Sequence, residues 1–252
     1  MDPNIKLDDL EEASEEGITS MTNFGYANLI GSLIYLAIAT QPDIAYAINK
    51  LAQFTSAPKP KHWTAVKRVF RYLKGTKDHK LSYGGSHDLL NEELNIYCDV
   101  DWASDLDQKS ISSYVITIAG GTVAWSSKKQ TTVALSTPEA EYIAAAHITK
   151  QVLWYRTLLI ELNFPPTTPP TIFLDNQLAI SITHHPEFHA CTKHIDIAIH
   201  FLCDHVKKGT LDLYYINTEY NLADIFTKAL KRLSHINFTY KLGLISGQGG
   251  VL

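Results

Sequence analysis

Four short strings, each built around an acid, are spread too widely along this chain to form a local motif: YCDVDWAS, TPEAEYIAAA, IFLDNQLAI and NLADIFTKAL. Their acids, Asp99, Glu141, Asp175 and Asp224, stand 42, 34 and 49 residues apart. Asp99 ends the alternating apolar run LNIYCD, and Asp175 ends a second run, TIFLD. Glu141 opens a long amphipathic stretch, and Asp224 lies near the start of a late one. Period-two runs are strands and longer amphipathic stretches are helices. Acids at strand ends and helix starts converge where an α/β sheet gathers those ends along one edge.

The rest of the chain is punctuated as such a fold requires. LNIYCD (94–99), SYVITIAG (113–120) and TVAWSS (122–127) are short, β-branched and aromatic, with Gly120-Gly121 as a tight turn. A helix is predicted over 138–162, with Thr137 as its cap and Pro138 at its first position. Pro165-Pro166 and Pro169-Pro170 stop the chain before TIFLD. Then come a helix over 176–183, a loop over 184–192, a helix to Lys207, the strand LDLYYINT and a helix carrying Asp224. The order βββαβααβα predicts a mixed sheet, with a hairpin pair and crossover helices, covered by helices.

Residues 21–85 have a different grammar and read as a small helical segment. Two apolar helices are split at Gln41-Pro42, and a third begins near His62 and ends at Gly75. Trp63, Val66, Phe70 and Leu73 form its expected buried stripe, with Lys67, Arg68, Arg71 and Lys74 on another face. The polar SHDLLNEE at 86–93 marks the boundary before a domain over 94–232; 233–252 reads as a tail, of which GLISGQGGVL (243–252) is expected to be frayed.

Charge is partitioned along the chain. The formal net charge is −4, but residues 1–20 alone carry −6, leaving +2 for the remainder. That leader is expected to be solvated and disordered. Residues 57–80 hold eight Lys or Arg against the single acid Asp78, a surface suited to a polyanion. No apolar run reaches the roughly 18 residues of a membrane span, and the start has neither a basic n-region nor an apolar h-region. Cys98, Cys191 and Cys203 are too scattered for a disulfide framework, so a reducing compartment, cytoplasm or nucleus, is expected.

Converging carboxylates repel one another unless a cation joins them, and hard oxygen ligands favour magnesium or manganese over zinc. Two such ions about 4 Å apart would serve phosphodiester hydrolysis, one activating water and the other stabilising the leaving oxygen. Taken singly, each acid is as well explained by a solvated surface position. Asp99 and Asp175 resist that reading because each ends an apolar strand; Asp101 and Asp105 crowd the first strand as well. His194, at a loop-to-helix junction, is a candidate general acid for product departure, with His200 as the rival. The group His184, His185, His189, Cys191 and His194 matches no zinc-ligand spacing, so structural zinc is not expected. Ser127, Lys128, Lys129 and Gln130 of WSSKKQ could meet phosphates and 2′-hydroxyls, as could Asn176, which would serve equally as a helix cap.

Residues 94–230 resemble the ribonuclease H domain of copia-type LTR retrotransposon polyproteins, and 24–84 resemble the end of the reverse transcriptase before it. The strings that carry the likeness include GSLIYLAIATQPDIAYAINKLAQFTSAPKPKHWTAVKRVFRYLKGT, YCDVDWASD, WSSKKQTTVALSTPEAEYIAAA, TIFLDNQLAI, TKHIDIAIHFL and YINTEYNLADIFTKAL. The resemblance implies a ribonuclease H-like mixed five-stranded sheet flanked by helices, preceded by a small helical thumb or connection segment. It also implies that Asp99, Glu141, Asp175 and Asp224 are the catalytic, metal-binding acids, with Asp99 favoured over Asp101. The sequence departs from the family at Gln108, usually Arg, at Ser113, usually Gly, and near Cys191 and Ala198, where basic residues are usual. No YVDD-type string occurs. No polymerase activity is therefore expected, and a palm domain supplied from elsewhere is the implied partner.

These readings predict a two-metal endonuclease that cuts RNA in an RNA–DNA hybrid, selected through 2′-hydroxyls and backbone shape rather than bases. A catalytically silent nucleic-acid-binding remnant is the alternative. An integrase or transposase fits less well, because of the fourth acid and the order WSSKKQ…AEY.

Overall fold

The computed structural model describes residue 7 and residues 25–84, 94–103, 107–184 and 193–246, without the side chains of 182, 184 and 193–199. Two compact units divide the chain: residues up to Ser82 together with those from Lys228 onward, and Tyr83–Thr227.

The first unit opens with α1 (Tyr26–Ala39), whose Tyr26, Ile30, Leu33 and Ala37 recur at helical steps and are buried. Pro42 starts a 3-10 turn, Pro42–Ile44, that leads into α2 (Ala45–Ala52). The Tyr26 hydroxyl donates to the Leu51 carbonyl at 3.0 Å and ties the two helices. In α3 (Pro60–Gly75) the buried positions are His62, Val66 and Val69, whereas Phe70 is 40% exposed. The stripe expected from apolar spacing is thus rotated, because its anchor is polar. His62 Nδ1 accepts from the Lys59 backbone at 2.9 Å, so Nε2 carries the proton and donates to the Leu7 carbonyl at 3.1 Å. Leu7, within the leader expected to be disordered, is buried in this core; the rest of 1–20 lies outside the described residues. A short strand, β1 (His79–Leu81), follows.

The second unit holds β2 (Asn95–Asp101), β3 (Ile111–Ile118), β4 (Gly121–Lys129), α4 (Thr137–Glu161), β5 (Thr171–Leu174), α5 (Gln177–His184), α6 (Lys193–Lys207) and β6 (Asp212–Tyr215). Its five strands lie in the order β4-β3-β2-β5-β6. The first three pair antiparallel, while β5 runs parallel to β2 and β6 parallel to β5. This is the mixed five-stranded sheet, flanked by helices, that the sequence led us to expect. The hairpin turn is Ala119-Gly120, one residue earlier than read, with φ of 49° and 73°. Positive φ at both positions is the type I′ geometry that matches strand twist. Ala140, Ala144, Ala145, Ile148 and Val152 of α4 pack on Ile96, Cys98, Ile116, Ile172 and Leu174 of the sheet.

After β6 come two 3-10 turns, Thr218–Tyr220 and Leu222–Phe226. The chain then returns to the first unit through α7 (Arg232–Lys241) and β7 (Leu244–Ser246), which pairs antiparallel with β1. Much of the expected tail is thus α7 and β7, and the second unit ends at Thr227 rather than 232; of the stretch expected to be frayed, 247–252 lie outside the described residues. Among the described residues no helix is long and apolar enough to cross a membrane.

Candidate metal centre

Three of the four acids meet. One carboxylate oxygen from each of Asp99, Asp175 and Asp224 lies within 4.8 Å of the others. Asp99 is 4% exposed and Asp224 5%, whereas Asp175 is half-buried. Asp99 does not close its strand: β2 continues to Asp101, and Asp99 pairs across to Ser113. Asp175 directly follows β5.

Asp224 sits in a 3-10 turn, not in the expected helix, and side chains from the sheet hold that turn. Asn221 caps it through Oδ1, accepting from the Ala223 N–H at 3.2 Å, and its Nδ2 donates to the Cys98 carbonyl at 2.9 Å. Ser113 Oγ donates to the Ala223 carbonyl at 3.0 Å, and Ser127 Oγ to the Phe226 carbonyl at 2.6 Å. Two threonines reach the carboxylates themselves. Thr227 donates its hydroxyl to Asp99 Oδ2, and Thr218 donates to Asp175 Oδ2 at 2.8 Å. Neither threonine stood out in the sequence. The one available signal was the three-residue spacing of Thr227 from Asp224, which brings the two onto one side of a helical turn.

Glu141 stands beside this group rather than in it. It is 2% exposed, near the start of α4. Its charge still acts on the same ground: burial first, then Glu141, Asp99 and Asp175, push the Cys98 thiol well above its ordinary range. Two buried oxygens, Glu141 Oε2 and Asp224 Oδ1, accept no hydrogen bond. Carboxylates gathered this closely, with buried oxygens lacking donors, suit a hard divalent cation. Among the described residues this is the one group of His, Cys, Asp and Glu that brings three such ligand atoms together.

The other predicted residues divide. Ser127 spends its hydroxyl on Phe226. Gln130 is 7% exposed, and its amide donates to Ser112 Oγ at 2.7 Å and the Ala140 carbonyl at 3.0 Å. Lys129 pairs with Asp107 at 2.8 Å. Lys128 is exposed. Asn176 is the cap of α5, its Oδ1 accepting from Leu178 and Ala179 at 3.0 and 3.1 Å. Lys67, Arg68, Arg71 and Lys74 are all exposed on α3, in the other unit. The His194 side chain and most of the His184–His194 group lie outside the described residues, and His200 is exposed on α6.

No protein-family model matches the chain. It is 40% identical, over 231 residues and 90% of its length, to the retrovirus-related Pol polyprotein from transposon RE2 of Arabidopsis thaliana. Over 214 residues, 84% of its length, it is 39% identical to the corresponding polyprotein from transposon TNT 1-94 of Nicotiana tabacum. The chain belongs to the Pol family of LTR retrotransposons. It spans 16% of the length of each of these two relatives. Among solved structures, LC11-RNase H1, isolated from compost, aligns with 54% of this chain and 93% of its own at 17% identity, with a TM-score of 0.42. In this Pol chain the departure at Ser113 has a use, because its hydroxyl reaches the turn that carries Asp224.

Proposed function

We propose that the sheet unit is a ribonuclease H, a metal-dependent endonuclease acting on the RNA strand of RNA–DNA hybrids. One observation carries this reading: carboxylate oxygens of Asp99, Asp175 and Asp224, from three separate elements, lie within 4.8 Å of one another. These three acids hold the cation, and Glu141 completes the site from α4. Magnesium or manganese, as two ions, supplies water activation and charge stabilisation at the leaving oxygen. The exposed cations Lys67, Arg68, Arg71 and Lys74 of α3, with Lys128 of β4, neutralise backbone phosphates. The Asn176 cap uses the amide oxygen and turns the amide donor toward a ribose hydroxyl. His194 assists product departure. A reverse transcriptase palm is the partner, in a reducing cytoplasmic or nuclear compartment where the buried thiols Cys98 and Cys203 remain free.

The test is cleavage of a labelled RNA–DNA hybrid in magnesium, beside single-stranded RNA and duplex DNA. The hybrid alone should be cut. Asp175→Asn, nearly isosteric but one charge poorer, should abolish cleavage with an unchanged circular dichroism spectrum. A parent that binds hybrid but never cuts it would establish the silent remnant instead.

A further inference from the structure

We infer that Thr227 and Thr218 are positioning residues for the metal centre, fixing the carboxylates of Asp99 and Asp175 in the orientation in which they meet Asp224. The inference rests on the reading of this centre as a cation site. Thr227 is fully buried, with 0% exposure. A hydroxyl carries one hydrogen, and that of Thr227 has two acceptors in reach, Asp99 Oδ2 and, at 3.3 Å, the Asp224 carbonyl. The carboxylate is the closer and the charged one, so it takes the hydrogen. The turn sets up this choice. Three residues per 3-10 turn place Thr227 on the side of Asp224, and its N–H closes the turn on the Asp224 carbonyl at 3.3 Å.

Three carboxylates this close repel, and a free side chain relieves repulsion by rotating away. A donor on one oxygen of Asp99 stops that rotation and disperses part of its charge. Thr218 gives Asp175 Oδ2 the same support at 2.8 Å. Residues 218–227 therefore bring one metal-binding acid, Asp224, and hold the other two. Hydrogen-bond partners of metal-binding carboxylates typically change metal affinity by about 10- to 100-fold.

The experiment is titration of the full chain with Mn²⁺ alone, followed by electron paramagnetic resonance and calorimetry. Thr227→Val keeps the shape and loses the donor; Thr227→Ser keeps the donor. The valine variant should bind Mn²⁺ about 10-fold or more weakly, with the serine variant within about 3-fold of the parent. A role confined to filling space would lower the melting temperature of the valine variant without moving the Mn²⁺ Kd. Valine binding as tightly as the parent, or serine binding as weakly as valine, overturns the inference while leaving the cation site standing. Should Thr227→Val fail to fold, Thr218→Val, at an exposed bond, decides: weaker Mn²⁺ binding supports the inference and an unchanged Kd overturns it. A parent that binds no Mn²⁺ sinks the cation-site reading and this inference together.

Discussion

Asp43 and His235, both in the first unit, respond to pH in opposite senses. Burial lowers the His235 pKa from its ordinary 6.5, against the smaller upward pull of Asp43. Burial raises that of Asp43 above 3.8, although the Tyr72 hydroxyl and His235 resist it. His235 Nε2 donates to the Asp43 backbone carbonyl at 3.2 Å. Below pH 6.5 the unfolded chain takes a proton that folded His235 refuses, so stability falls as pH falls from there to the lowered value. For Asp43 the folded state keeps its proton longer, so stability falls as pH rises through the window above 3.8. His235→Gln should therefore reduce the loss of stability on acidification from about pH 6.5, leaving the like-signed part from His147, whose pKa burial also lowers. Urea midpoints of parent and variant across that range check the sign. At Ser113 the expected effect is simpler. Ser113→Ala removes a buried donor from the Ala223 carbonyl and should cost about 1–3 kcal/mol, read from denaturant unfolding. Asp99 and Asp175 were legible in the sequence because a charge ending an apolar run is conspicuous. Ser113 and Thr227 were not, since a hydroxyl shows its use only when its acceptor, distant in the chain, is brought close.

Elements were read well where the signal is local and poorly where the sheet overrides it. NLADIFTKAL has the composition of a helix. Yet the Ala223 and Phe226 carbonyls accept from Ser113 and Ser127, taking acceptors that an α-helix would have used, and the segment tightens into a 3-10 turn. In α3 the period was found but its phase was not, because buried His62 is discounted by any apolar count. Its cationic face gives a prediction. Changing Lys67, Arg71 and Lys74 together to Ala should lower the log–log salt slope of hybrid binding by up to about 3, with little change in the chemical step. An unaltered slope would make that face a merely solvated one. The β3–β4 turn gives another. Ala119 is held at φ 49°, a conformation unfavourable for a residue with Cβ. Ala119→Asn, giving the Asn-Gly pair that type I′ turns prefer, should raise stability by about 0.5–1 kcal/mol, seen as a higher urea midpoint at constant m-value.

At the scale of the whole molecule, the sheet order followed from the alternation of strands and helices, but the division of the chain did not. A boundary at 232 follows from local composition, and nothing local says that β7 will pair with β1 across the intervening unit. Ending the chain at Lys231 should therefore damage the first unit, not the second. It removes Phe238, Leu242 and Leu244, all buried, at about 1.5–3 kcal/mol of apolar burial each. Limited proteolysis should then digest residues 25–84 quickly while 94–227 persist and keep their melting response to magnesium. Equal resistance of both regions would show that the return segment contributes nothing.

The pairing of β1 with β7 also sets a timetable for synthesis. The ribosome must add the 145 residues Tyr83–Thr227 after β1 has emerged and before α7 and β7 follow, an interval of roughly 7–30 s at ordinary elongation rates. The sheet unit has its whole sequence in hand first. The helices of the first unit, made before the sheet unit, are completed after it, and during that wait their open strand leaves the nascent chain exposed to misassembly and to chaperones.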